Sequence, residues 1–512
     1  MPLDLSKAKH HPTSEKLVQI LINKTQNDNP AFFRLLIAYY FAKMASMMRI
    51  GINTPDRGTI PINMYCVNLS SSGTGKTYSN NIIEEQIIHK FKHDFLNQTF
   101  PLAAHENLGK LGTQRAHKHK EDPDEWIEKV TKEFHSLGPL AFSFDSGTAP
   151  AVKQMRQKLL MANIGSINME IDEIGTNLLN QTEVLGTFLE LFDVGKVKSK
   201  LIKNTKENAR SEDIDGKTPA NMMLYGTPSK LLNGSKTEEE FVSMLETGYA
   251  RRCFFGFTKR NKKLTDYTAE ELYEMLTDDS SDSFLEDFAE KLADLADYVN
   301  FGRDIAVPKD IALLNLEYRL RCEEIAESLK EHEEVPKAEL AHRYYKVLKI
   351  AGAYAFIDGN LEITEDNLYA AIRLAEDSGE AFKRILTRER NYVKLAKYIS
   401  SVGKEVTQVD LVEELPFYKG SESTKRELMA LAIAYGYKNN IVIKRSISDG
   451  IEFFEGESME ETNLDKMIIS YSTDITRDYL NEEVPFDQLH RLINSIGYHF
   501  TNHKLLDMTG ED

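Results

Sequence analysis

The run Ser72-Gly73-Thr74-Gly75-Lys76-Thr77 carries the residue types that phosphate chemistry requires. Two glycines let backbone N–H groups close on phosphate oxygens, a lysine reaches the β and γ phosphates of a nucleoside triphosphate, and a threonine hydroxyl holds Mg²⁺. The spacing departs from G-x-x-x-x-G-K-[ST] at one place, where Ser70 stands in the position of the first glycine. The run follows the apolar stretch Ile62 to Leu69 and precedes Ile82, Ile83, Ile87 and Ile88 at helical spacing. Strand, loop and helix therefore come in the order that a P-loop needs. The plainer alternative is a helix N-terminus carrying a lysine that binds nothing.

Hydrolysis needs a carboxylate for the metal and a group that orients or deprotonates the attacking water. Leu140 to Asp145 ends in one acid, whereas Ser166 to Glu173 ends in an adjacent pair. This assigns Asp172 to Mg²⁺ and Glu173 to the base; solvated acids at a helix start are the competing reading. Thr227, in Tyr225-Gly226-Thr227-Pro228, offers a hydroxyl to the γ-phosphate, although Gly-Thr-Pro is also an ordinary turn. Arg251 and Arg252 precede the apolar run Cys253 to Phe257. An arginine there stabilises charge in phosphoryl transfer or forms a structural salt bridge.

Basic residues gather in three places. Lys196, Lys198 and Lys200 alternate and Lys203 follows, so in an extended hairpin they face one side, toward nucleic acid or only toward solvent. Lys110 to Lys120 is expected to be a surface loop, and its His117 and His119 lack further ligands at metal-binding spacing. Lys425, Arg426, Lys444 and Arg445 form the third group, with Glu422, Glu427 and Glu452 close by in sequence.

The elements that must hold these groups follow from periodicity. Residues 14 to 49 read as two helices on either side of Asn27-Asp28-Asn29-Pro30. Strands are expected at Ile62 to Leu69, Leu140 to Phe144, Ile167 to Ile171, Met222 to Tyr225 and Cys253 to Phe257, with helical crossovers between them. After Lys262 the strands are expected to stop, and Thr364-Glu365-Asp366 opens one of the later helices as a capping box. From Asn391 two helices, a third from Ser421 to Tyr435, and alternating runs around Asp449-Gly450 predict a winged helix-turn-helix, for DNA or for protein contact. The fold class is α/β: a P-loop NTPase core at 59–262, a helical segment at 1–58, a helical lid at 263–390, a winged helix at 391–457 and an acidic tail at 458–512.

Composition sets the outer limits. The 512 residues, 41% hydrophobic and 28% charged, are ordinary for a soluble multidomain chain. No apolar run approaches the roughly 20 residues a bilayer needs, and the start lacks the order of a signal peptide, so no membrane and a cytoplasmic location are expected. Cys66, Cys253 and Cys322 are expected as reduced core thiols. A net charge of −17 excludes a wholly basic surface, so nucleic acid would be held by local loops.

Taken in order, these features resemble AAA+ ATPases, and more narrowly the helicase-like ATPases of phages and mobile elements that accompany primases, with a layout similar to the minichromosome-maintenance helicases. The resemblance spans about residues 30 to 450. It rests on Pro61 to Thr77, Phe144-Asp145-Ser146-Gly147-Thr148, Ile171-Asp172-Glu173-Ile174, Phe188 to Asp193, Tyr225 to Pro228 and Gly248 to Phe255. It implies ATP and Mg²⁺, a homo-oligomeric ring, and Arg252 acting in trans with Arg251 in reserve. It also implies a sensing arginine in the lid, for which Arg343 is the candidate, and a basic hairpin in the channel. Three functions follow. The first is a ring-forming DNA helicase or translocase on single-stranded or forked DNA in phage or mobile-element replication. The second is an initiator or loader that switches with ATP and binds duplex through the winged helix. The third is a nucleotide-binding scaffold recruiting a primase or polymerase. Channel lysines and a trans arginine favour the first.

Overall fold

A computed structural model describes residues 3–71, 75–134, 137–179, 181–197, 214, 216–258, 266–387, 389–448 and 451–458. The chain divides into two compact units, residues 1–388 and 389–512.

The first unit is organised around a helix with no polar face. Pro30–Met47 is buried along nearly its whole length, and Pro30 at its start has no N–H to leave unsatisfied. Helix Pro12–Thr25 packs beside it, so the two helices predicted around Asn27 to Pro30 are present. The strands of this unit are β1 (Gly51–Thr54), β2 (Gly58–Pro61), β3 (Tyr65–Ser70), β4 (Ile167–Ile171), β5 (Ala220–Gly226), β6 (Cys253–Thr258) and β7 (Asp304–Ala306).

Four of them form a wholly parallel sheet in the order β4-β5-β3-β6. Every residue of β3 and β5 is buried, as expected for central strands covered on both faces. The first strand starts later than its apolar run, at Tyr65. The strand expected from Leu140 to Phe144 is not formed as such. Gly138–Ala141 is a 3₁₀ turn, and only Phe144 pairs, donating to Asn168 O at 3.0 Å and accepting from Glu170 N–H at 2.9 Å. Pro139 has no N–H to give a ladder at that edge.

Nor do strands stop after Lys262. β7 joins β1 in parallel, and β1 pairs with β2 in a second sheet ordered β2-β1-β7. Three residues are too few to show a period. The helices Glu334–Asp358 and Glu365–Leu386 share one core with the Pro30–Met47 helix and the parallel sheet. Phe382 stacks on Phe255 at 4.3 Å, and Phe255 N–H donates to Ser378 Oγ at 2.7 Å. The capping box at Thr364 is present, with Asn367 as its reciprocal partner.

Lys110 to Lys120 is not a loop. All but its last residue belongs to helix Phe100–His119, packed against helix Pro123–Phe134. The buried side of that helix is built largely from Ala103, Ala104, Gly112 and Ala116, whose small side chains give little hydrophobic contrast in sequence. Cys66, Cys253 and Cys322 are buried and unbridged.

In the second unit, helices Asn391–Val402, Gln408–Glu414 and Glu422–Lys438 accompany strands β8 (Val406–Thr407), β9 (Ile441–Ser448) and β10 (Ile451–Ser458), paired in the order β8-β10-β9. Leu395, Ile399, Leu411 and Phe454 belong to its separate core. Ser448 pairs with Ile451, which leaves two residues for the turn. Those two, Asp449 and Gly450, lie outside the described residues, as does the tail beyond Ser458. Among the described residues no helix is long and apolar enough to cross a membrane.

Candidate functional site

Because the four strands run parallel, their C-terminal ends share one edge, and the residues that leave them meet there. β3 passes through Ser70 and Ser71 to Gly75, whose φ of +71° is left-handed and whose side-chain direction is open space. Only glycine adopts this without strain, and it leaves the backbone free for phosphate to approach. Lys76 begins helix Lys76–Ile82, with exposed Thr77 next. Ser72, Gly73 and Thr74 lie outside the described residues. Ser79 Oγ donates to Gly75 O at 2.8 Å, fixing the start of the helix, and Tyr225 Oη donates to Asn80 Oδ1 at 2.8 Å, tying the same helix to β5.

β4 delivers the acids. Asp172 is exposed, while Glu173 is half-buried at the N-cap of Ile174–Asn177. Glu173 Oε2 is 3.5 Å from the Thr227 hydroxyl and 3.7 Å from Lys230 Nζ. Thr227 is buried at the N-cap of Pro228–Leu231, directly after β5. Burial pushes the Lys76 pKa down, and the carboxylates of Glu173 and Asp172 act against that shift. Lys76 and both acids thus occupy one electrostatic neighbourhood, although they come from strands separated by β5. An open left-handed glycine, a lysine and a hydroxyl at a helix start, and an exposed carboxylate opposite them fit a magnesium triphosphate. Mg²⁺ is commonly held by one or two carboxylates plus phosphate oxygens. Among the described residues no cluster of three or more His, Cys, Asp or Glu would hold a metal alone.

The arginines lie at the other edge. Arg251 and Arg252 precede β6, whose six residues span about 20 Å of strand. Both therefore lie about a strand's length from Lys76 of the same chain. Arg252 is buried, with Nη2 3.1 Å from Asp193 Oδ2 and Nη1 donating to Gly248 O at 3.2 Å. Arg251 is the more exposed of the two and lies 3.5 Å from His342 Nε2. Burial, reinforced by Arg251, pushes the His342 pKa down to about 4, so this ring is neutral.

Arg343 is placed differently from the expectation. It is buried in ion pairs with Glu339 at 2.6 Å and Glu376 at 2.9 Å. Glu339 also pairs with Lys346 at 2.9 Å, and Lys346 donates to Cys253 O at 2.8 Å. That last bond anchors the cluster at the start of β6, the edge away from Lys76. The arginines that do approach the C-terminal end of β6 went unnoticed in sequence. Arg34, Arg373 and Arg384 line a cavity of about 300 Å³ beside Phe257. Arg34 is bound by Glu15 and Arg373 by Asp377 at 3.0 Å, whereas Arg384 is exposed with no ion pair among the described residues. They come from two distant helices, and no local spacing joins them.

Of the channel lysines, Lys196 is exposed and Lys198, Lys200 and Lys203 lie outside the described residues. The segment leaves helix Thr182–Val194 at Gly195, with φ of +72°, and returns at Thr218, whose N–H donates to Gly195 O at 2.8 Å. In the second unit Lys425 pairs with Glu422 at 3.0 Å, Lys444 with Glu457 at 3.3 Å, and Arg445 with Glu452. Arg426 alone of this group makes no ion pair among the described residues.

No protein-family model matches this chain, and no curated protein matches it.

Proposed function

We propose that the chain binds and hydrolyses ATP at the C-terminal edge of its parallel sheet and works as an AAA+-like, ring-forming DNA helicase or translocase in the cytoplasm. The observation that carries this reading is the meeting of Lys76, Asp172 and Glu173 at one edge, beside the left-handed Gly75. In this reading Gly75, Lys76 and the helix start cradle the phosphates, and Thr77 and Asp172 hold Mg²⁺. Glu173 takes the proton of the attacking water, and Thr227 orients Glu173 through its hydroxyl. Held by Thr77 and Asp172, Mg²⁺ would supply neutralisation of the phosphate charge.

Distance is what supports a ring in this reading: an arginine about 20 Å of strand away from Lys76 would serve phosphoryl transfer at a neighbouring copy. Exposure favours Arg251 for that contact, with Arg252 holding its position through Asp193. In the second unit, read as a winged helix, three of the four candidate DNA-binding cations are matched by glutamates. That counts against this unit as the main DNA contact and leaves the basic run that begins at Lys196 as the proposed one.

Lys76→Ala is expected to abolish binding of a labelled ATP analogue, and Glu173→Gln to keep binding and lose turnover. Unchanged affinity in Lys76→Ala would overturn the site. Mixing Arg251→Ala with Glu173→Gln creates some interfaces with two intact halves, so turnover returns in a ring; no return at any ratio overturns the trans assignment. Replacing Lys196, Lys198, Lys200 and Lys203 by alanine should leave basal turnover intact and remove its stimulation by single strands. If Lys425, Arg426, Lys444 and Arg445 dominate binding instead, the chain is a duplex-binding initiator.

A further inference from the structure

A second cavity of about 300 Å³ lies between the β1–β2 turn, helix Lys309–Ser328 and helix Glu334–Asp358. Leu316 and Leu348 line it, and Leu313, Leu316 and Leu320 are exposed at the i, i+3, i+7 spacing of one helix face. Two arginines rim the cavity, each over a tyrosine ring: Arg57 on Tyr345 and Arg319 on Tyr344, both 4.7 Å from the ring centre. Both are exposed, and their ion pairs are loose, with Asp56 at 3.3 Å and Glu323 at 4.0 Å. The result is an apolar groove with a cationic rim in a chain of net charge −17. An exposed apolar face edged by charge is the surface of a protein contact.

The same chain carries the complement on another side. Helix Ala269–Thr277 has no buried residue, and its Tyr273 and Leu276 are exposed, while Leu272 and Met275 are half-buried. Glu270 lies one turn before Tyr273 and Glu274 directly follows it, both exposed. From Leu264 to Glu290 the sequence has ten acids and no lysine, arginine or histidine.

The two surfaces lie at opposite edges of the parallel sheet. Helix Ala269–Thr277 comes after the end of β6, and helix Pro12–Thr25 touches both it and helix Lys76–Ile82. The groove adjoins the start of β6: Tyr345 Oη donates to Asp193 O at 2.8 Å, and Asp193 pairs with Arg252. The six residues of β6 separate these ends by about 20 Å. A helix at one edge and a groove at the other therefore meet between copies, head to tail, which is the geometry of a ring or an open filament.

We propose that the groove beside Arg57 and Arg319 receives helix Ala269–Thr277 of a second copy. Tyr273 and Leu276 meet Leu313, Leu316 and Leu320, and Glu270 and Glu274 meet the two arginines. This rests on the ring reading in that copies assemble, and it does not require nucleotide. Arg251, 3.5 Å from His342 on the groove side, is carried by the same contact toward the Lys76 side of the neighbour.

The test is sedimentation of the full chain over a concentration series, with and without ATP and Mg²⁺. The parent is expected to assemble. Arg57→Glu with Arg319→Glu reverses the groove, and Glu270→Lys with Glu274→Lys reverses the helix. Each pair sets like charges together and should raise the concentration of half-assembly by about tenfold or more. All four positions are exposed, so the melting temperature should stay near that of the parent. An equimolar mixture of the two variants, or all four changes in one chain, should assemble again, because every contact then joins opposite charges. A parent that stays monomeric overturns both this contact and the ring, and leaves ATP binding at Lys76 to its own test. Assembly that ignores both reversals, or that no mixture restores, overturns this contact while the ring reading stands on other surfaces.

Discussion

The two edges of the parallel sheet use the same side chains for opposite ends. At the C-terminal edge Lys76, Asp172 and Glu173 are partly open to solvent and lie close enough for the two carboxylates to act on the lysine. At the N-terminal edge Glu339, Arg343, Lys346, Lys349 and Arg252 are buried and bound at short distances. Lys76 and Asp172 keep surface that a ligand can meet. Charges closed on one another hold the helix Glu334–Asp358 to the sheet, and they have little left for chemistry.

Substitutions that exchange these behaviours would break the comparison. The largest effect is expected for Glu339→Ala, which leaves Arg343 and Lys346 buried with a missing partner; a loss of about 3–5 kcal/mol of unfolding free energy is expected in urea titrations. A change under about 0.5 kcal/mol, the usual range for surface sites, would mean that this edge is not structural.

Lys349 sharpens the contrast through pH. It donates to Phe192 O at 2.8 Å and also to Asn63 Oδ1, and burial pushes its pKa down to about 7. The unfolded chain keeps this proton up to the ordinary lysine range, whereas the folded chain releases it near neutrality. Unfolding free energy should therefore gain with rising pH above about 7, by up to about 1.4 kcal/mol per unit. Lys349→Met lacks this gain, so parent stability minus variant stability should rise from about pH 7 to about pH 9. A difference that is flat or falls would refute the buried titration.

Arg252→Ala is expected to cost about 1–2 kcal/mol, since it removes a charged hydrogen bond from a buried position. Arg251→Ala should cost under about 0.5 kcal/mol while slowing turnover. The smallest change in stability is expected for Lys76→Ala, within about 0.5 kcal/mol of the parent, even though nucleotide binding is lost. A large destabilisation would class Lys76 with the opposite edge.

Sequence periodicity located β4 residue for residue and placed β3, β5 and β6 within a few residues, because buried parallel strands are short apolar runs with distinct flanks. Asp172 and Glu173 were found by the same logic, as residues at the end of such a run. Burial of single charges was not legible. Arg343 lies in a charged helical stretch where Glu339 four residues earlier is an ordinary surface partner in sequence, yet its second partner, Glu376, comes from another helix and helps to bury the pair. Asn315 has an ordinary helical context, and only tertiary packing makes its oxygen solitary. Phe144 shows the reverse error, where apolar composition promised a strand but Gly138–Ala141 turns as a 3₁₀ helix and a single bridge remains.

The bond between Thr218 N–H and Gly195 O has a consequence for how this chain can vary. A side chain at Gly195 would lie 2.6 Å from Thr218 O, so the two backbones are held together at the root of the intervening segment. The cost of closing a chain between two clasped residues rises only slowly with the number of residues between them, by about 0.6 kcal/mol for each doubling. Shortening that segment, doubling it or exchanging it for an unrelated sequence should therefore leave β5 and the helix before Gly195 in place. The root is a natural splice point, where a new specificity can be grafted without redesigning the sheet beneath it.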